Sequence, residues 1–154
     1  MIERFALLNE NAMVKTPTGK DVHVSCLEPG AEILACQLCK NILDKDRLDL
    51  VKYKSIIVNG IIQWKVHECL LVNHDLMVTP NQLVPTGMEI RRIESLHEFN
   101  RIIKAKLDEN IELSYQKIEH EKFDNLDETF YGILTDYDEC IFVNNILMFT
   151  NGMR

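Results

Sequence analysis

The sequence predicts a mostly β fold, a single domain over residues 1–154 built from hairpins with one main α-helix. Turn signals recur at short intervals, from Thr16-Pro17-Thr18-Gly19 through Asn59-Gly60 to Asn144-Asn145. The segments between them alternate polar and apolar residues or are short and apolar, as strands do. Only from about Leu96 to Lys106 do apolar residues fall at helical spacing.

Phe5 to Val14 alternates loosely before the first turn, and Asp21-Val22-His23-Val24-Ser25 follows with a period of two. Leu27-Glu28-Pro29-Gly30 is a second turn, leading into a strand from Ala31 to Cys36. The segment Leu48 to Val58 ends at Asn59-Gly60, where both residues tolerate positive φ. Ile61 to Val72 is therefore expected to fold back on it, bringing Trp64 beside Tyr53. Asn73-His74-Asp75 then reverses the chain into Leu76-Met77-Val78. Ser95-Leu96-His97-Glu98 has capping-box spacing, and Leu96, Phe99, Ile102, Ile103 and Leu107 continue it with helical period, which predicts a helix over residues 96–106. Ile111 to Ile118 returns to strand, the charged run Glu119 to Glu128 reads as an exposed loop, and Phe130–Leu134, Cys140–Val143 and Ile146–Phe149 close the chain as hairpins.

An internal repeat runs through these elements. Met13 to Val22 resembles Met77-Val78-Thr79-Pro80 taken with Pro85-Thr86-Gly87-Met88-Glu89-Ile90. Downstream of the copies, Leu27-Glu28-Pro29-Gly30 and Leu107-Asp108-Glu109-Asn110 each lead into a strand, with the helix inserted in the second copy.

A net charge of -7 argues against a nucleic-acid surface, and no apolar stretch is long enough to suggest a membrane span or a signal peptide. The expected setting is cytoplasmic or within an assembled particle. Five cysteines scattered through apolar segments suit reduced, buried thiols. Cys36-Gln37-Leu38-Cys39 has metal-ligand spacing, but His67-Glu68-Cys69 does not complete it, so no metal and no cofactor are expected. His23, His67, His74, His97 and His120 each stand alone. Trp64, on an alternating strand, is the candidate interaction residue.

Three blocks then occur in order: Leu7 to Ala35 with its Thr-Pro-x-Gly turn; Leu76-Met77-Val78-Thr79-Pro80-Asn81-Gln82-Leu83-Val84; and Phe142-Val143-Asn144-Asn145-Ile146-Leu147-Met148-Phe149-Thr150-Asn151. Together they resemble the self-processing domains of the Hint (Hedgehog/intein) superfamily. The resemblance implies a pseudo-twofold, horseshoe-shaped β fold. It also implies a nucleophile at Leu7, a T-x-x-H element at Thr79 to Gln82, and a histidine before the cyclising Asn151. Leu has no lone pair to attack a carbonyl, Gln82 does not titrate near neutral pH, and Thr150 or Phe149 takes the place of the histidine. The expectation is a degenerate, non-splicing domain with no catalytic residue, used as a structural or protein-interaction module. Its partners would be other proteins, in an assembly such as a virus particle, where it would be a minor capsid or other virion component. The alternative is residual autoprocessing at Asn151-Gly152, or a relocated thiol at Cys26.

Overall fold

The computed structural model describes residues 5–37, 51–86, 89–97, 100–107 and 110–154. Cys39, Glu98, Phe99, Asp108 and Glu109 lie outside them, and with them the second cysteine of the Cys36–Cys39 spacing and the end of the capping box.

The strands in chain order are β1 (Leu8–Asn9), β2 (Met13–Lys15), β3 (Asp21–His23), β4 (Glu32–Gln37), β5 (Lys52–Ile57), β6 (Gly60–Val66), β7 (Cys69–Val72), β8 (Leu76–Val78) and β9 (Leu83–Pro85). They continue as β10 (Ile90–Arg92), β11 (Arg101–Leu107), β12 (Ile111–Lys117), β13 (His120–Phe123), β14 (Glu128–Thr135), β15 (Cys140–Val143), β16 (Ile146–Phe149) and β17 (Asn151–Gly152). An eight-stranded sheet runs β12-β11-β16-β15-β2-β3, with β4 joining β15 and β5 joining β4. A seven-stranded sheet holds β13, β7, β8, β1, β14, β17 and β6, and β9 with β10 forms a separate ribbon. The main core lies between the large sheets. Leu8, Leu70, Leu76, Val78 and Ile133 come from one sheet, and Val14, Ile33, Ala35, Ile141, Val143 and Ile146 from the other. Each of the larger aliphatic side chains there contributes about 1.5–3 kcal/mol by leaving water.

Two of the polar reversals behave as their residues suggest. Asn73 and His74 have φ of 49 and 67, Asn144 and Asn145 have φ of 49 and 64, and these pairs turn the β7-β8 and β15-β16 hairpins. The Asn59-Gly60 hairpin does not form. Neither residue has positive φ; β5 pairs with β4, and β6 pairs with β14. Buried Val58 exchanges backbone hydrogen bonds with Gly30 and Ala31, while the Asn59 amide donates to Leu134 O. The chain crosses from one sheet to the other at this point, and ladder bonds on both sides outweigh the local turn preference. Tyr53 consequently lies opposite Cys36 and stacks on Phe142 with ring centroids 6.1 Å apart, whereas Trp64 lies opposite Phe130.

The predicted helix is also absent: Arg101–Leu107 is a strand paired with β12 along its whole length. Ile102 packs into the main core, while Ile103 and Ala105 pack into a second cluster with Leu34, Cys36, Phe142 and Leu147. A strand buried on both faces places apolar residues side by side, and that arrangement mimics helical spacing. Among the described residues the helical structure consists of the 3-10 turns Val24–Cys26 and Ile93–Ser95. The charged run after Ile118, read as a loop, contains β13, which pairs with β7 over His120 to Phe123.

The internal repeat is structural, in a shifted register. Thr16 and Thr86 start the paired turns, their amides donating to Lys20 O and Glu89 O, each at 2.8 Å. The 3-10 turns follow with equivalent caps, Leu27 at φ -74, ψ 142 and Leu96 at φ -74, ψ 141. Leu27 therefore corresponds to Leu96 and not to Leu107. By the same register the β4-β5 hairpin matches β11-β12, which is the structural reason that Arg101–Leu107 is extended.

Candidate functional site

β6 occupies one side of β14 from Glu128↔Val66 to Leu134↔Gly60. On the other side β1 pairs antiparallel at Phe130 and Tyr131, and β17 pairs parallel at Leu134 and Thr135. Two short strands thus start from one point on the same edge and run apart. Ala6, just before β1, meets Asn151, the first residue of β17.

The meeting is a two-way amide clasp. The Ala6 N–H donates to Asn151 Oδ1 at 2.9 Å, and Asn151 Nδ2 donates to Ala6 O at 2.9 Å and to Ile133 O at 3.3 Å. One residue on, the Leu7 N–H donates to Thr79 Oγ1 at 2.9 Å, and the Thr79 N–H returns a bond to Leu7 O at 3.0 Å. The Thr79 hydroxyl donates to Asn81 Oδ1 at 2.6 Å, and Asn81 Nδ2 donates to Phe5 O at 3.0 Å. The backbone from Phe5 to Leu7 is held by amides and a hydroxyl. The Leu7 side chain, 2 % exposed, packs with Val66 and Phe130.

Gln82 is 2 % exposed and gives Nε2 to Leu83 O and Phe149 O, both at 2.9 Å. Its own carbonyl accepts the Ile93 amide at 2.7 Å, so the second 3-10 turn anchors it. Ala6, Leu8, Ile133, Ile141, Val143 and Met148 border it across a gap of about 10 Å³, no more than one water needs. Thr150 is occupied elsewhere. Thr135 donates to Tyr137 O at 2.6 Å, which leaves the Thr150 hydroxyl to donate to Thr135 Oγ1 at 2.6 Å. The Gly152 N–H donates to Asp138 Oδ1 at 2.8 Å.

Leu7, Thr79 and Asn151 are therefore linked through the Phe5–Leu7 backbone, and Gln82 joins them only through its main-chain amide, which donates to Thr79 O at 3.1 Å. The junction opens on a cleft of about 180 Å³ lined by Phe5, Ala6, Asn81, Asp138, Asn151 and Gly152. Trp64, 53 % exposed, is not remote from it. It shares a neighbouring groove of about 480 Å³ with Phe5, Leu7, Thr79, Pro80 and Asn81. Asn81 and Asp138 carry parts of the site to which the sequence alone assigned no role. Asn81 stands inside the block from Leu76 to Val84, and Asp138 in the turn between Phe130–Leu134 and Cys140–Val143. Cys26, exposed at the end of its 3-10 turn, does not line the cleft. Burial pushes the Cys36 thiol up to about 12 and the Cys69 thiol, with Glu128 nearby, up to about 11. Both are poor nucleophiles at neutral pH. Among the described residues no three His, Cys, Asp or Glu side chains are grouped to hold a metal ion.

No protein-family model matches the chain, and a search of curated proteins found no match. Solved structures do match. A DnaB intein from Synechocystis sp. PCC 6803 superposes with a TM-score of 0.67 over 95% of this chain and 99% of its own, at 16% identity. A variant of the Ssp DnaB mini-intein gives 0.72 over 97% and 96%, at 14% identity. The chain has the Hint fold. A bacterial intein-like domain from Clostridium thermocellum shares it, with a TM-score of 0.63 over 94% of this chain and 98% of that one at 14% identity. In this Hint fold the Asn151 side chain holds the Ala6 end of the Ala6–Leu7 peptide, while the Asn151–Gly152 backbone pairs with Leu134 and Thr135. No helix among the described residues is long and apolar enough to cross a membrane.

Proposed function

We propose that this Hint-fold chain is catalytically inactive and acts as a structural or protein-interaction module. The observation that supports it most is the clasp. Among the described residues, the side chains that hydrogen-bond the Ala6–Leu7 peptide are an Asn amide and a Thr hydroxyl, neither of which exchanges a proton near neutral pH. Gln82 is turned to Leu83 O and Phe149 O, and residue 7 offers no attacking atom. Cleavage at Asn151–Gly152 would need Asn151 Nδ2 to reach its own main-chain carbonyl. That nitrogen instead donates to Ala6 and Ile133. A site frozen in this way stabilises the fold and leaves function to the surface, where Trp64 is the largest exposed apolar side chain.

Purified protein held for days in excess dithiothreitol is expected to keep its full mass. Loss of the segment before Leu7, or of a Gly-Met-Arg peptide, would show chemistry at the site. Leu7→Cys alone is expected to stay intact as well. Its thiol would be buried, and the residue 7 nitrogen would still lack an acid, a contribution worth about 10²–10⁴ in rate. Co-purification from the native source tests the interaction role. Trp64→Ala should release partners. Gln82→Ala, at a cost of about 2 kcal/mol in stability, should keep them. The opposite pattern would place the function in the cleft. The same co-purification reads whether the partners belong to a larger assembly such as a virus particle.

A further inference from the structure

The strand that carries Trp64 is also an open sheet edge. β6 is seven residues long and, among the described residues, pairs with β14 alone, so its outer backbone groups have no ladder partner. The other outer strands of four or more residues carry the charges that keep such edges apart. β13 presents His120, Glu121 and Lys122 in four residues, β5 has Lys52 and Lys54, and β12 has Glu112 and Lys117. β6 reads Gly-Ile-Ile-Gln-Trp-Lys-Val, with one charge and no proline. Its composition is that of a strand with neighbours on both sides.

We infer that a second copy of this chain docks edge to edge on β6, extending the seven-stranded sheet antiparallel across a twofold axis at Gln63. The inference rests on the interaction-module reading and names its partner. Paired strands keep side chains on matching faces only when the axis passes through a residue, and only an axis at Gln63 pairs all seven positions. In that register Trp64 faces Ile62 of the second copy, an aromatic and β-branched cross-strand pair. Lys65 faces Ile61, Gly60 faces Val66, and Gln63 faces itself. No charge meets a like charge. Trp64 and Ile62 are exposed and half-buried in the single chain, so both have surface to lose. An isologous contact of this kind closes after two copies. A seven-residue edge makes a small interface, so the dimer depends on concentration.

Sedimentation of the full chain over a rising concentration series is expected to show the mass doubling, and Trp64→Glu, checked as folded by circular dichroism, to remain monomeric. The register is tested by Gln63→Cys in a Cys26→Ser background. Oxidised glutathione should link two copies through residue 63, two thiols giving one disulfide and two molecules of glutathione. Trp64→Cys in the same background should not link. A monomer at every concentration overturns the inference, as does a dimer linked through residue 64 or through neither position. If the chain stays monomeric yet captures other proteins through Trp64, the edge serves a foreign strand. The self-pairing then fails while the interaction-module reading stands. If the chain dimerises as expected but is cleaved in dithiothreitol, the reverse holds.

Discussion

Above pH 9 the protein is expected to lose stability steeply, because three thiols are buried in the folded state. Cys36 is raised from 9.0 to about 12 and Cys69 from 9.0 to about 11, both by burial, with Glu128 adding to the second. Cys140 is pushed well above 9.0 by burial, with Cys36 and Glu139 adding to the effect. The folded pKa exceeds the unfolded one in each case, so the unfolded chain binds fewer protons above pH 9. The stability is complete below that point and falls as pH rises toward 11 for Cys69 and toward 12 for Cys36. Each thiol contributes a slope of about 1.4 kcal/mol per pH unit within its window. Cys140 lowers the stability in the same direction, and a typical domain is stable by only about 5–15 kcal/mol. Tyr53, raised to about 12 by burial and then by Cys36, adds less because it is 37% exposed. Urea denaturation at intervals from pH 8 to 11 measures the slope. Cys36→Ala should be less stable at pH 8 yet show a shallower fall, and parallel slopes for the two proteins would rule the thiols out.

Asn151→Ala is expected to cost about 2–3 kcal/mol, since it removes one bond accepted from Ala6 and two donated to Ala6 and Ile133, each worth about 1 kcal/mol. The loss should be local. Hydrogen exchange should accelerate at the Ala6 amide, while the amides of β15 and β16, in the centre of the other sheet, keep their protection relative to global unfolding. Asn151→Asp should be worse than Asn151→Ala, because it turns a carboxylate toward two carbonyl oxygens. If Asn151→Ala is as stable as the native chain, with unchanged exchange at Ala6, the clasp does not hold the segment.

Most of the strands were legible because their period of two and their Asn and Gly turns are local properties. Asn73-His74 and Asn144-Asn145 needed nothing beyond their own φ preferences. Asn59-Gly60 has turn-forming residues as well and failed, because a ladder to β14 settles its geometry and a ladder is invisible to a short window. Ile102 and Ile103 misled for a related reason, since the second core that buries Ile103 is built from Leu34, Phe142 and Leu147, far away in sequence. The repeat held enough information to correct them, because aligning Leu96 with Leu27 makes Arg101–Leu107 the counterpart of β4. In the site, Leu7, Thr79, Gln82 and Asn151 were named from a resemblance between short blocks. Their hydrogen-bond partners could not be, since Asp138 and Ile133 meet the junction only through the course of β14 and its following turn.

The junction of β1 and β17 also has a kinetic consequence. The clasp joins residues 145 apart in sequence, and Leu7 reaches Thr79 across a further 72. Closing loops of that size comes late in folding, and topologies dominated by distant pairings are slow, on the order of milliseconds to seconds. β17 leaves the ribosome after every other described strand. Until it arrives, the edge of β14 beside Leu134 stays bare and Phe5 to Leu7 have no Asn151 to hold them. The clasp thus forms only once β17 has been synthesised, and a nascent or truncated form that lacks β17 presents a different surface at this point.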